Sequence, residues 1–139
     1  MADFESVHTM TDFYDGPRRG VADFKGAPHF YESTFGDVGD APDEADDIFQ
    51  LSPITDDAFQ LALEDWAIWL RWQAANQRGE TSNETHPALP IDRPRHDELQ
   101  PMLDRLLKID PNDLVNAIAE FRNNDSQLEV RWTVVPPVA

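Results

Sequence analysis

The sequence predicts an α+β fold: an antiparallel sheet of about five strands, with one long central helix and two shorter helices packed on one face. Three observations predict it. Short runs rich in β-branched and aromatic residues, separated by Gly, Pro and Asp, fill residues 5–52. Residues 54–79 carry the marks of a long helix with a defined start and stop. Residues 127–135 (QLEVRWTVV) return to clean alternation, with Leu128, Val130, Trp132 and Val134 on one side. The order β-β-β-β-α-α-α-β has too many adjacent strands for a helix–strand repeat, so the sheet is read as antiparallel. At 139 residues and 40% hydrophobic content, one domain spanning 1–139 is expected.

Residues 5–14 (ESVHTMTDFY) read as the first strand. Val7, Thr9, Thr11 and Phe13 fall on one side of it, His8, Met10 and Tyr14 on the other. Asp15-Gly16-Pro17 is turn chemistry. A second strand at 21–24 turns through Lys25-Gly26-Ala27 into a third at 29–35, Gly26 supplying the positive φ that tight hairpins require. Residues 36–47 (GDVGDAPDEADD) hold six acids in twelve positions and read as a solvated, mobile loop. A fourth strand, 48–52, is ended by Pro53.

In the helix of 54–79, Thr55 is placed to cap, Asp56 and Asp57 sit at the positive end of the dipole, and Gly79 is a stop. Phe59, Leu63, Trp66 and Leu70 form one apolar stripe, flanked by Ala62 and Trp69, and are expected to carry the core. Leu61, Ile68 and Trp72 form a second stripe, available to other helices or to a second chain. Gln60, Glu64, Arg71 and Arg78 make a narrow polar wedge. A proline-punctuated loop at 80–95 follows. Helical spacing resumes at Leu99, Met102, Leu103, Leu106 and Leu107, and because Pro101 is tolerated only near a first turn the helix should begin near Asp97 or kink there. Asp110 as cap and Pro111 at the first helical position then open a third helix, which carries Leu114, Val115, Ile118 and Phe121 and breaks at Asn123-Asn124-Asp125.

Most catalytic chemistry is excluded by missing parts. There is no cysteine, hence no disulfide, thiolate site or cysteine nucleophile. No HExxH, GxSxG or phosphate-binding glycine loop is present. A calcium loop starting at Asp37 fails, with Gly39 at its third position and Pro42 at its sixth. His8 with Asp12, or His29 with Glu32, are the histidine–carboxylate pairs a sheet could bring together, but no cofactor or metal is expected. No run approaches 18 apolar residues, and MADFESVHTM lacks a basic region and an apolar core, so neither a membrane span nor a signal peptide is expected and the cytoplasm is the default.

The formal net charge of −16 disfavours direct nucleic-acid binding and anionic membranes. Residues 1–57 hold 14 acidic against 3 basic groups. Two function classes fit. The first is an interaction or regulatory protein, inhibitor- or immunity-like and without catalysis, that offers a negative surface to a basic protein partner. Its candidate binding residues are Asp43, Glu44, Asp46 and Asp47 in the acidic loop, the paired bases Arg18 and Arg19, and Trp69 and Trp72 on the helix, where a second copy of the chain is a further candidate partner. The second class is a small-molecule binder or enzyme with a pocket between the sheet and the Trp-rich helix.

Overall fold

A computed structural model describes residues 3–13, 17–34 and 48–135. They divide into two compact units, Met1–Ile54 with Lys108–Ala139, and Thr55–Leu107.

The first unit contains β1 (Glu5–Ser6), β2 (Asp12–Phe13), β3 (Pro17–Phe24), β4 (Ala27–Ser33), β5 (Ile48–Pro53), β6 (Val115–Asn124) and β7 (Gln127–Val134). Their order is β1-β7-β6-β5-β4-β3-β2, with every pairing antiparallel. The antiparallel sheet expected from the sequence is therefore present. The two-residue strands β1 and β2 belong to one N-terminal segment that touches both ends of the ladder. Glu5 and Ser6 pair with Val130 and Glu129 of β7. A few residues on, Val7 bridges Ala22 and Asp12 pairs with Arg19 of β3. The sheet thus closes into a small barrel of six strand positions, covering edges that an open sheet would expose.

So narrow a barrel has room inside for side chains and little else. The inward face of the pleat supplies Tyr31, Phe49, Leu51, Val130 and Trp132, with Val7, Ala22, Phe24 and Ala117. The rings of Tyr31, Phe49, Phe121 and Trp132 all contact one another, with centroids between 5.8 and 6.4 Å apart. Their tilted and edge-on packing adds to what area burial alone gives. Burial pushes the Tyr31 phenol well above its ordinary pKa, so it stays protonated, and it donates to the Thr9 carbonyl at 2.9 Å.

The seam between the N-terminal segment and β3 is built by particular residues. His8 and Thr9 both donate their N–H to the Val21 carbonyl, at 2.8 and 3.1 Å, which is a bulge. The Thr9 hydroxyl accepts the Val21 N–H at 2.9 Å. Beyond the reach of this ladder, side chains take over. The Glu5 carboxylate accepts the Lys25 and Gly26 N–H groups at 3.1 and 2.8 Å, and the Trp132 indole donates to the Asp23 carbonyl at 2.9 Å. Lys25 and Gly26 have φ of 54° and 80°, the turn expected from Lys25-Gly26-Ala27.

The third helix expected at 110–122 does not form. Asp110 does take a cap-like role, but as a turn: its carboxylate accepts the Asn112 N–H and its carbonyl the Asp113 N–H. The Ser52 hydroxyl accepts the Asp110 N–H and donates to the Asp113 carbonyl, tying that turn to β5. Val115 then enters β6. Asn123-Asn124-Asp125 is a hairpin rather than a helix breaker, with Asp125 and Ser126 at φ of 50° and 71°.

The second unit contains α1 (Asp56–Gln77) and α2 (Arg93–Leu106), joined through a 3-10 turn at Asn83–Thr85. Thr55 caps α1 by accepting the Ala58 N–H. Gly79, at φ 75°, ends it: its N–H reaches the Asn76 carbonyl while that of Glu80 reaches Ala75, a Schellman arrangement. The expected core stripe is displaced around the helix. Ile68 and Trp72 are buried, together with Ala58, Ala62 and Ala75, whereas Trp66 is half-buried and Leu70 is 42% exposed. The chain doubling back after Gly79 explains this, since Thr85 accepts the Trp72 indole N–H at 2.9 Å and the His86 ring stands edge-on to it at 4.7 Å. Helix α2 begins four residues before Asp97, with Pro94 in its first turn and Leu99 and Leu103 buried. Pro101 lies inside it, on the exposed side. No helix among the described residues is long and apolar enough to cross a membrane.

Candidate functional site

The residues nominated from the sequence do not converge. Asp43, Glu44, Asp46 and Asp47 lie outside the described residues, as does the whole acidic loop. Arg18 and Arg19 sit in β3, where alternation sends them to opposite faces. Arg19 lies over the Phe30 ring at 5.4 Å and reaches its cross-strand neighbour Glu32 at 3.5 Å. Trp69 stacks on Trp66 with centroids 5.0 Å apart and an interplanar angle of 17°. Trp72, on the stripe read as available to other helices or to a second chain, is buried.

Helices α1 and α2 face each other across charged pairs. Arg95 forks onto Glu64 at 2.6 and 2.8 Å, and Arg71 onto Asp92 with both bonds at 2.9 Å. His96 Nδ1 meets Asp65 at 2.8 Å, and the Gln100 amide lies 3.3 Å from the same nitrogen. A carboxylate that orients an imidazole is half of an acid–base device. Among the described residues His96 pairs with Asp65 and Gln100, and the Asp65 contact joins the two helices.

Hydrogen bonds from Arg95 and Arg71 hold the Glu64 and Asp92 carboxyls below their ordinary range. A carboxyl whose pKa is lowered by folding contributes stability above its unfolded pKa and loses it as pH falls through the folded value. The Arg71→Gln/Arg95→Gln double variant should therefore be modestly less stable than the parent at pH 7, because both pairs are partly exposed to solvent. That difference should shrink as pH falls through the lowered values of the two carboxyls, in urea midpoints measured side by side.

Of the other histidines, His8 meets Asp23 at 2.9 Å, and His29 Nδ1 lies 2.8 Å from the Ala27 carbonyl. Among the described residues, no three His, Asp or Glu side chains gather as metal ligands would.

A concave feature of the barrel lies beside the seam. A depression of about 620 Å³ is lined by Asp3, Glu5, Phe24, Lys25, Trp132, Thr133 and Val134. Two acidic and two aromatic residues thus line it together with one lysine, whose ammonium lies 5.4 Å from the centre of the Phe24 ring. Nothing in the sequence placed Glu5 beside Lys25 or Trp132, because only barrel closure brings these distant residues together. The chain matches no protein-family profile, no curated protein and no solved structure.

Proposed function

We propose that this is an interaction or regulatory protein, without catalysis of its own, that presents a negative surface to a basic protein partner. The observation that carries the reading is how the few cations are spent. Of 11 lysines and arginines against 27 acids, Arg19, Arg71, Arg78, Arg95, Arg122 and Arg131 each lie against a carboxylate of the same chain. Exposed Asp56, Asp57, Glu84, Asp97 and Asp104 have no ion-pair partner among the described residues. Uncompensated carboxylates of this kind raise the encounter rate with a positive surface.

The test is kinetic. For a partner recovered from the host at low salt, the on-rate should fall steeply as the Debye length shrinks from about 30 Å at 0.01 M to about 8 Å at 0.15 M. Neutralising Asp43, Glu44, Asp46 and Asp47 together should slow association more than it speeds dissociation, because rim charges act on encounter. Binding that ignores both salt and these four acids would overturn the reading.

A further inference from the structure

We infer that the depression beside the seam is a subsite for one lysine or arginine side chain of the partner, and that Lys25 stands in for that cation in the free protein. The inference rests on the reading of a basic partner and adds where that partner is gripped.

The lining sets the sign of the ligand. Asp3 and Glu5 bring two acidic residues to the wall, Phe24 a ring that the Lys25 ammonium already approaches, and Trp132 a mostly buried indole. Carboxylate beside aromatic ring suits an ammonium or guanidinium, which takes charge-assisted hydrogen bonds from the one and a cation–π contact from the other. An anionic group would meet Lys25 but also both acids. Glu5 is held in place by the Lys25 and Gly26 N–H groups, which leaves acceptor capacity on a carboxylate whose two oxygens offer about four lone-pair sites. Thr133 and the 46%-exposed Val134 supply a rim for the aliphatic stem of a long side chain.

Lys25 shows the site already taken by a cation. Its ammonium sits within cation–π range of Phe24. The residue is exposed at the tip of a two-residue turn, and it makes no ion pair among the described residues. A flexible, solvated side chain of this kind can swing out and yield the ring face to an incoming cation. The volume of about 620 Å³ accepts a whole lysine or arginine side chain with its flanking backbone.

The experiment uses the intact protein and Nα-acetyl-arginine amide as probe, followed by amide chemical shifts. Lys25→Asn is chosen because asparagine tolerates the positive φ of this position. It should tighten the probe about two- to fivefold, the equivalent of one exposed cation–π contact regained. Asp3→Asn should weaken it by a similar factor, with shifts centred on Glu5, Phe24 and Thr133. Lys108→Ala and Asp97→Asn make the same charge changes elsewhere and should do neither. If Lys108→Ala tightens and Asp97→Asn weakens the probe equally, the attraction is diffuse and the subsite is overturned while the basic-partner reading stands. Weaker binding by the Lys25 variant would mean the lysine is itself a ligand group, and would overturn the proposal too. If a partner's salt-dependent binding is unchanged in both Lys25→Asn and Asp3→Asn, the subsite fails and the basic-partner reading again survives.

Discussion

Replacing Trp132 with alanine should lower the unfolding free energy by about 3–5 kcal/mol, the range for deleting a large buried aromatic. The side chain is 3% exposed and packs against Tyr31, Phe49 and Phe121 inside the barrel. A narrow closed barrel cannot collapse around the void, because each neighbouring strand is held on both sides by its ladder. The loss also strips the Asp23 carbonyl of its indole donor. Trp132→Phe separates the two contributions: it keeps most of the volume and should cost about 1–3 kcal/mol for the orphaned carbonyl and the imperfect fit. Urea midpoints at unchanged slope measure both. Val134→Ala, on a residue 46% exposed, should move the midpoint far less. Equal effects would show that the aromatic cluster is not the core.

Gly20→Ala should cost about 3 kcal/mol or more, at or beyond the top of the usual overpacking range. A Cβ at this position would lie 2.1 Å from the Thr9 carbonyl oxygen and 2.8 Å from its carbon, with the Tyr31 hydroxyl at 2.9 Å. Two of these three neighbours are main chain, so no rotamer change relieves the contact. The strand carrying Thr9 must lift away from β3, and the Tyr31 and Val21 hydrogen bonds to Thr9 go with it. Amide hydrogen exchange should show His8, Thr9 and Val21 losing protection while α1 keeps its own. Parent-like exchange at those amides would mean that Thr9 is not seated on Gly20.

The elements that could be read from the sequence are those whose signals are local. Thr55, the two aspartates after it and Gly79 define α1 without help from anything distant, and Lys25-Gly26 defines its hairpin. Helix and strand signals conflict at 115–124. Asp110-Pro111 mimics a helix start, and Ala117 and Ala119 favour a helix on intrinsic propensity. The barrel reverses that preference. Ala117 pairs with Phe49 and Ala119 with Trp132, positions where an interior crowded by rings takes a small residue. The stripe of α1 that is buried could not be chosen from periodicity because two stripes were apolar. What decided it was the hydrogen-bond partner Thr85 offers to Trp72, a contact made only after the chain reverses. The candidate site was illegible for a related reason. Asp3, Glu5, Phe24, Lys25 and Trp132 become neighbours only once the sheet closes.

That closure also has a kinetic side. Glu5 meets Val130, so the contact that completes the barrel joins opposite ends of the sequence. Joining distant segments costs loop entropy before any contact repays it, and topologies rich in such pairings fold on the slow side of the range for small domains. The Thr55–Leu107 unit lies wholly between those two partners and needs only nearer contacts, so it can order first. The seam is therefore expected to form last and to open first. In transient openings of the native state, the rings of Trp132 and Tyr31 would meet water through that gap before any strand of the β3–β4–β5 ladder parts from its neighbour.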